Sequence, residues 1–109
     1  MVGRKVGVSM KDRKLNILGL EYNLQELDGP DSEEMYGMIN YEDQVIKIGN
    51  MMHDDRRAVV LMHEILHGVL DGLGYSDLNN DEEKVQSLAN ALYQVLKTNP
   101  WLFSFFGLR

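Results

Sequence analysis

A long amphipathic pattern runs through residues 54–74. When this segment is drawn as a helix, one side of it carries Val59, Met62, Leu66, Val69 and Leu73. Asp54 or Asp55 can cap the start of the helix, and Gly74 is a residue type that commonly ends one. The spacing therefore predicts one long helix whose apolar side packs on a second layer of the protein.

A second helical pattern follows the polar connector YSDLNND and runs from about residue 81 to residue 98, before Pro100. Its apolar positions are Val85, Leu88, Ala89, Leu92, Val95 and Leu96. The connector is long enough to span, in reverse, the part of the first helix that follows His67. The start of the second helix is therefore expected to return to the level of His67.

Alternating apolar and polar residues predict about three antiparallel strands ahead of these helices. The first strand is expected at 15–27, and a hairpin is expected at 36–41 and 45–48 with Glu42, Asp43 and Gln44 in its turn. Residues 1–14 are expected to be weakly ordered or to form a short edge element, and residues 28–34 to form a loop. The layout predicts an α+β fold in a single domain, residues 1–109: a small antiparallel sheet packed on two long helices.

Composition and charge exclude several classes of function. The formal net charge of −6 and the pI near 4.9 oppose nucleic acid as a main partner, because phosphate binding needs clustered Lys and Arg. The chain has no cysteine, which excludes disulfides, cysteine zinc sites and thiol nucleophiles. We interpret one basic cluster near the start as a flexible arm: Arg4, Lys5, Lys11, Arg13 and Lys14.

The sequence carries no sign of a membrane partner. No segment approaches the roughly 20 apolar residues that a membrane-spanning helix needs, and the N-terminus lacks an apolar signal core. We therefore expect a cytoplasmic protein. The closing segment WLFSFFGL is strongly apolar, and we expect it to fold back over the core as a lid, with docking of a partner as the alternative.

The first helix carries the motif HEILH, in which His63 and His67 lie four residues apart. At that spacing two imidazoles lie one turn apart on the same side of a helix, where they can bind one ion. Glu64 lies beside them, so it is better placed to contact a water held by the metal than to complete the ligand set. A catalytic zinc ion takes three protein ligands and lowers the pKa of such a water to about 7, which makes Glu64 the candidate general base.

A third ligand must come from another element, because a row of ligands on one helix cannot surround an ion tetrahedrally. Asp71, one turn further along the first helix, is therefore either an outer hydrogen-bond partner of an imidazole or a solvated residue. At the start of the second helix, Asp81 and Glu82 turn toward the apolar side and Glu83 turns away. Glu83 also fits a capping box with Asn80. We expect Glu82 to be the third ligand, with Glu83 and Asp71 as the alternatives.

The motif HEILH, followed by EEKVQ at the start of the second helix, resembles the gluzincins, a class of zinc metallopeptidases. Within that class the chain is most similar to the small ImmA/IrrE-type metallopeptidases of bacteriophages and mobile elements, over about residues 36–98. The resemblance implies a minimal zincin-like fold, a protein or peptide substrate and, for a phage-encoded protein, the cytoplasm of a bacterial host. It implies Glu64 as general base and Zn²⁺ bound by His63, His67 and Glu82.

Two departures from the family pattern bear on turnover more than on metal binding. Gln86 stands where the family often has Asp or Asn, and the extended chain that commonly supplies further substrate contacts is missing. Tyr75 and Tyr93 are candidate donors to the developing negative charge, with packing as the plainer interpretation. His53 is expected in a loop. The resemblance also suggests a substrate that lies along one strand of the 36–48 hairpin.

Three hypotheses about function remain open at this point. The first is a zinc-dependent endopeptidase of narrow specificity that cleaves a protein partner, because so few elements leave only an open, shallow groove. The second is a non-catalytic binding or regulatory module on the same scaffold, which the small size, the apolar C-terminus and Gln86 favour. The third is an α+β domain without metal. The oligomeric state is not indicated by any pattern in the chain.

Overall fold

The order of elements along the chain is a group of strands followed by a group of helices. The computed structural model describes residues 10–30 and 36–108. Its strands are β1 (Lys14–Ile17), β2 (Leu20–Leu27), β3 (Gly37–Asn40) and β4 (Val45–Gly49). Its helices are α1 (Asp54–Leu73), α2 (Ser76–Asn79), α3 (Glu82–Thr98) and α4 (Trp101–Phe105). The predicted α+β class is confirmed.

Parts of three predictions lie outside the described residues. They are the weak order or edge element of residues 1–14, the basic arm at Arg4 and Lys5, and the loop at 28–34. Lys14, the last residue of the predicted arm, belongs to β1. That end of the basic segment is therefore part of the sheet.

A mixed sheet of four strands is found where about three antiparallel strands were expected. The order across the sheet is β1-β2-β4-β3. The outer pairs β1–β2 and β3–β4 are antiparallel, whereas β2 and β4 run parallel in the centre. In the described part of the chain, β1 and β3 are therefore the two edges of the sheet.

The additional strand arises because a tight turn divides the segment 15–27. Leu18 and Gly19 both have positive φ, 51° and 93°, and the Gly19 N–H donates to Asn16 Oδ1 at 2.9 Å. Glycine adopts this conformation at little cost, and the short polar side chain of Asn16 closes the turn. Leu18 lies in the turn with an exposed side chain, so its apolar character does not indicate a strand position.

The hairpin of β3 and β4 is confirmed. Its turn spans 41–44, where the Asp43 N–H donates to Asn40 Oδ1 at 2.8 Å and Gln44 has a φ of 54°. The two strands pair from Gly37 opposite Ile48 to Asn40 opposite Val45. Because β4 lies between β2 and β3, β3 is the one strand of the hairpin with a side left open by the described strands. This corrects the expectation that either strand of the hairpin could pair with a substrate.

The long helix α1 covers the sheet and ends at Gly74 as predicted, with a left-handed φ of 78°. Its start differs from the prediction: the residue before the helix is His53, which makes no side-chain cap, and Asp54 and Asp55 lie in the first turn. The predicted apolar stripe is only partly correct. Val69 packs against the core of the sheet, but Leu73 is 51% exposed.

Two glycines explain why the side of α1 that faces the sheet differs from the predicted apolar side. A Cβ on Gly68 would lie 2.8 Å from Ile17 Cδ1, and a Cβ on Gly72 would lie 2.9 Å from Leu18 Cδ1. The absence of side chains at these positions lets the helix approach β1 closely. Beneath it lies a core of Met10, Ile17, Tyr22, Leu24, Ile46, Ile48 and Met52.

The helix α3 returns antiparallel to α1, with Val85 and Ala89 fully buried. At the far end of the pair, Tyr93 and Lys97 both donate to Asp55 Oδ1, at 2.8 and 2.7 Å. These hydrogen bonds lower the pKa of Asp55 and raise the pKa of Lys97. At the near end, α3 begins one residue later than predicted, because Asp81 and not Asn80 accepts the capping hydrogen bond, from the Lys84 N–H.

The aromatic C-terminus does not form the predicted lid over the core. Four of its residues are more than half exposed: Trp101, Phe105, Phe106 and Leu108. The ring of Phe105 packs edge to face against those of Trp101 and Phe106. None of the helices in the described part of the chain combines the length and the apolar character needed to cross a membrane.

Candidate metal centre

His63, His67 and Glu82 converge on one point between α1 and α3. The Nε2 atoms of the two histidines are 3.1 Å apart, and each lies close to Glu82 Oε1, at 3.0 Å from His63 and 3.2 Å from His67. Among the described residues, these three form a group of side chains that could hold a metal ion. The structure thus brings together the three residues that the sequence singles out as candidate ligands.

The other ring nitrogen of each histidine faces an amide oxygen. His63 Nδ1 lies 2.8 Å from Gln86 Oε1, and His67 Nδ1 lies 2.6 Å from Asn79 Oδ1. Both amides have their NH₂ groups engaged elsewhere: Gln86 donates to Asn90 Oδ1, and Asn79 donates to the hydroxyl of Tyr41. Because an amide oxygen only accepts, each Nδ1 carries the hydrogen and each Nε2 carries a lone pair.

Three lone-pair atoms therefore meet at the convergence point, which is unfavourable unless a cation lies between them. Their separations of 3.0 to 3.2 Å are close to the edge of a zinc tetrahedron, about 3.3 Å for bonds of 2.0 to 2.1 Å. Two imidazoles and one carboxylate form a ligand set that suits zinc, and three protein ligands leave a fourth position for water or substrate. The residues present thus fit a zinc ion.

Glu64 lies beside the candidate ligands on α1, with its side chain buried. Burial raises the pKa of this carboxyl group; His63 and His67 act against that shift, and Glu82 adds to it. The backbone of β3 passes directly over it, since a Cβ on Gly37 would lie 3.3 Å from Glu64 Oε2 and 2.5 Å from Val60 Cγ1. Glycine at position 37 is therefore required for the edge strand to approach Glu64 so closely.

The convergence point opens on a cleft bounded by the edge strand. A cavity of about 370 Å³ is lined by Gly37, Met38, Ile39, Tyr41, His63, Glu64, His67 and Glu82. A larger groove of about 910 Å³ continues from it between α1 and α3, and Gly37, His63 and Glu64 line both. An extended ligand, such as a peptide, that reaches the histidines can therefore continue into the groove.

The main chain of β3 faces this cleft with polar groups that pair with no other described strand. The Gly49 N–H donates to the Tyr36 carbonyl at 2.7 Å, so alternate residues of the strand, Tyr36, Met38 and Asn40, direct their backbone toward β4. The N–H and C=O groups of Gly37 and Ile39 then point to the open side of the sheet, among the described residues. They can pair with an extended peptide.

Other residues singled out from the sequence lie apart from the convergence point. Asp71 and Glu83 are exposed, and neither hydrogen-bonds an imidazole. Tyr75 is 57% exposed after the end of α1. Tyr93 binds Asp55 and Lys97 at the far end of the groove, and His53 is exposed just before α1.

Three residues that sequence reasoning missed shape the site: Gly37, Tyr41 and Asn79. Asn79 orients His67, and Tyr41 lines the cleft, where burial raises the pKa of its hydroxyl. The only sequence signal for a role of Asn79 was its short separation from the HEILH motif. That signal is weak, because Asn79 lies in a connector rich in turn-forming residues of the same kind. Gln86 departs from the family pattern, yet its Oε1 lies 2.8 Å from His63 Nδ1.

Replacing Asn79 by Ala is expected to weaken zinc binding by about 10- to 100-fold, because His67 loses the acceptor that fixes its tautomer and ring orientation. The affinity can be measured by competition with a chromophoric chelator at fixed pH. Asn80→Ala is the matched control, since Asn80 is exposed and lies one residue further along. Equal losses in the two variants would contradict the role given to Asn79.

Comparison of the chain with known protein families, curated proteins and solved structures gave no match.

Proposed function

We propose that the protein is a zinc-dependent endopeptidase with a minimal zincin-like fold, which hydrolyses a peptide bond in a specific protein partner. One observation carries this proposal. Two histidines and a glutamate converge with their lone pairs at a zinc-like spacing, and a buried carboxyl group lies beside them in an open cleft. The likeness of HEILH and EEKVQ to the gluzincins supports the same chemistry.

Each residue of the site has a defined role in this proposal. A bound zinc ion would act as a Lewis acid that polarises the peptide carbonyl and lowers the pKa of a water molecule. His63, His67 and Glu82 would hold the ion, with Gln86 and Asn79 orienting the two rings. Glu64 accepts the proton that the attacking water loses and returns it to the departing amine.

The substrate in this proposal is an extended segment of a protein. The backbone groups of Gly37 and Ile39 pair with it as an additional strand at the edge of the sheet. This pairing positions the scissile carbonyl over the convergence point, because Gly37 lies directly against Glu64. Main-chain pairing gives affinity without sequence preference, so preference must come from the groove between α1 and α3.

The proposal is tested by metal content and by metal-dependent cleavage. Protein purified without added zinc is expected to contain about one zinc per chain by elemental analysis. It is then incubated with a degenerate peptide library blocked at both ends, and the products are identified by mass spectrometry. We expect cleavage that stops when a chelator removes the metal and returns when zinc is restored. Protein without metal, or cleavage that survives complete metal removal, would contradict the proposal.

A second candidate function is a non-catalytic binding module, and the exposed aromatic residues of the C-terminus favour it. Trp101, Phe105 and Phe106 offer a contiguous apolar surface of the kind that contacts partners. In that case a partner protein would remain uncut in a stable complex. The complex would also persist after chelation and in a Glu64→Gln variant, which distinguishes it from the peptidase.

A further inference from the structure

The groove between α1 and α3 has one cation, Arg56, that forms no ion pair with the described residues. Asp55 is neutralised by Lys97, whose Nζ lies 2.7 Å from Asp55 Oδ1. Arg56, the next residue on α1, lines the groove and makes no ion pair with any described residue. The far end of the groove is therefore positive in a chain whose net charge is −6.

The guanidinium of Arg56 is held in place by an aromatic ring. It lies 4.8 Å from the centroid of Tyr36, the residue that precedes β3. Stacking on a ring fixes the plane of a guanidinium and leaves its N–H groups free to bind a carboxylate in a bidentate manner. Arg56 is exposed, so an incoming carboxylate can reach it.

The walls of the groove suit a peptide segment that approaches this cation. Val59 and Val60 give α1 an apolar face, and α3 contributes uncharged polar side chains: Gln86, Asn90, Gln94 and Thr98. Such walls accept a main chain and small side chains without a charge penalty. Apart from Glu64 at the candidate metal centre and the paired Asp55 and Lys97, Arg56 is the charged side chain among the described residues that line the groove, and it favours an anion.

We propose that Arg56 is a specificity-determining residue that selects an acidic side chain in the substrate, on the C-terminal side of the cleaved bond. This inference rests on the proposed peptidase function for its meaning, but the binding it describes does not require turnover. The direction follows from the chain at β3, which runs from Tyr36, just before the strand and next to Arg56, through Ile39 to Tyr41, just after the strand. A peptide paired antiparallel to it, the more stable pairing, sends its C-terminal part into the groove.

The position of the acidic residue follows from the helix geometry. Arg56 lies seven residues before His63 on α1, a distance of about 10 Å along the helix axis. An extended peptide advances roughly 3.3 Å per residue, so the acidic side chain is expected about three residues beyond the cleaved bond. The frequency of Asp and Glu should therefore be measured at the second to fourth residues after the cleaved bond.

The experiment measures peptide binding first and peptide cleavage second. A degenerate dodecapeptide library, acetylated and amidated so that its only carboxylates are Asp and Glu side chains, is passed over immobilised, zinc-loaded full-length protein carrying Glu64→Gln. Bound peptides are expected to be enriched about 5-fold in Asp and Glu, the upper range for an exposed ion pair with bidentate geometry. Adding Arg56→Glu should reverse the enrichment toward Lys and Arg. Lys14→Glu, the same charge change on the opposite edge strand β1, should leave it unchanged.

Two further measurements, binding of a second library and digestion of the first, could contradict the role of Arg56. A second library with free C-termini and without Asp or Glu tests whether a terminal carboxylate is the true ligand, and retention confined to that library would overturn the proposal. So would an enrichment that Arg56→Glu does not alter, or an absence of bound peptides. Digestion of the first library by the active protein should place the acidic residue at the second to fourth position after the cut, and a preference before the cut would contradict the inference.

These results separate the two proposals. If acidic peptides are enriched through Arg56 but no peptide is cleaved, the role of Arg56 in binding is supported and the peptidase function is contradicted. If peptides are cleaved in a zinc-dependent manner and Arg56 has no effect, the peptidase function is supported and the role of Arg56 in selecting acidic substrates is contradicted.

Discussion

Replacing Glu64 by Gln is expected to lower the rate of peptide hydrolysis by about 10³-fold, within the range found when a general base is lost. An amide has nearly the shape of the carboxyl group but cannot accept the proton of the attacking water. The variant should still bind about one zinc per chain, because Glu64 does not contribute to the convergence of His63, His67 and Glu82. The measurements are the cleavage rate on a library peptide and the metal content of the same sample.

The matched control for this substitution is Glu42→Gln in the exposed turn between β3 and β4. It removes the same charge at a distance from the cleft, and it should leave the cleavage rate unchanged. Full hydrolysis by the Glu64→Gln variant would show that the proton acceptor has been wrongly assigned. Loss of zinc from that variant would show that Glu64 belongs to the ligand set.

Replacing Glu82 by Gln is expected to weaken zinc binding by more than 100-fold, a larger effect than the roughly 10- to 100-fold that follows loss of an outer hydrogen-bond partner. The reason is that Oε1 of Glu82 is the only carboxylate atom within 3.2 Å of both imidazoles among the described residues. The fold should persist, because the Glu82 side chain is 69% exposed. Competition with a chelator gives the affinity, and circular dichroism checks the helix content.

The neighbouring residue provides the control for Glu82. Glu83→Gln removes the same charge from the first turn of α3, where the side chain is exposed and does not contact the histidines. It should change the zinc affinity by less than 3-fold, about the size of a screened surface interaction. A loss in Glu83→Gln as large as that in Glu82→Gln would contradict the assignment of the third ligand.

Much of the fold could be predicted because its elements are specified by neighbouring residues. The hairpin of β3 and β4 has turn-forming residues at its centre, and α1 ends at a glycine that adopts a left-handed conformation. The parallel pairing of β2 with β4 could not be predicted in the same way. It joins residues more than twenty positions apart, such as Asn23 and Val45, and alternation in a strand does not indicate its partner.

The division of the first strand was missed for a related reason. Leu18 fits an apolar alternation, and the turn there depends on Asn16 and Gly19, whose spacing is compatible with a strand as well. The predicted lid at the C-terminus is wrong because hydrophobicity alone does not ensure burial. Trp101 and Phe105 lie on a five-residue helix whose aromatic rings contact one another rather than the core.

The candidate site was predictable to the extent that it follows from helix geometry. His63 and His67 share a side of α1 because they are four residues apart, and Glu82 faces them because of its phase relative to Val85. Asn79 was not predictable, since its contact with His67 depends on the path of the short helix α2. Gly37 and Tyr41 reach the site from the sheet, and no spacing along the chain shows that approach.

The position of the candidate third ligand on a separate helix has a consequence for how a metal ion would be acquired. Glu82 meets the histidines only after α2 has reversed the chain and α3 has docked through Val85 and Ala89. A short synthetic peptide that contains HEILH therefore offers two nitrogen donors without the oxygen donor, and it should be a poor chelator. Tight uptake of zinc is therefore expected only of the completed tertiary structure, where it would serve as a reporter of correct refolding.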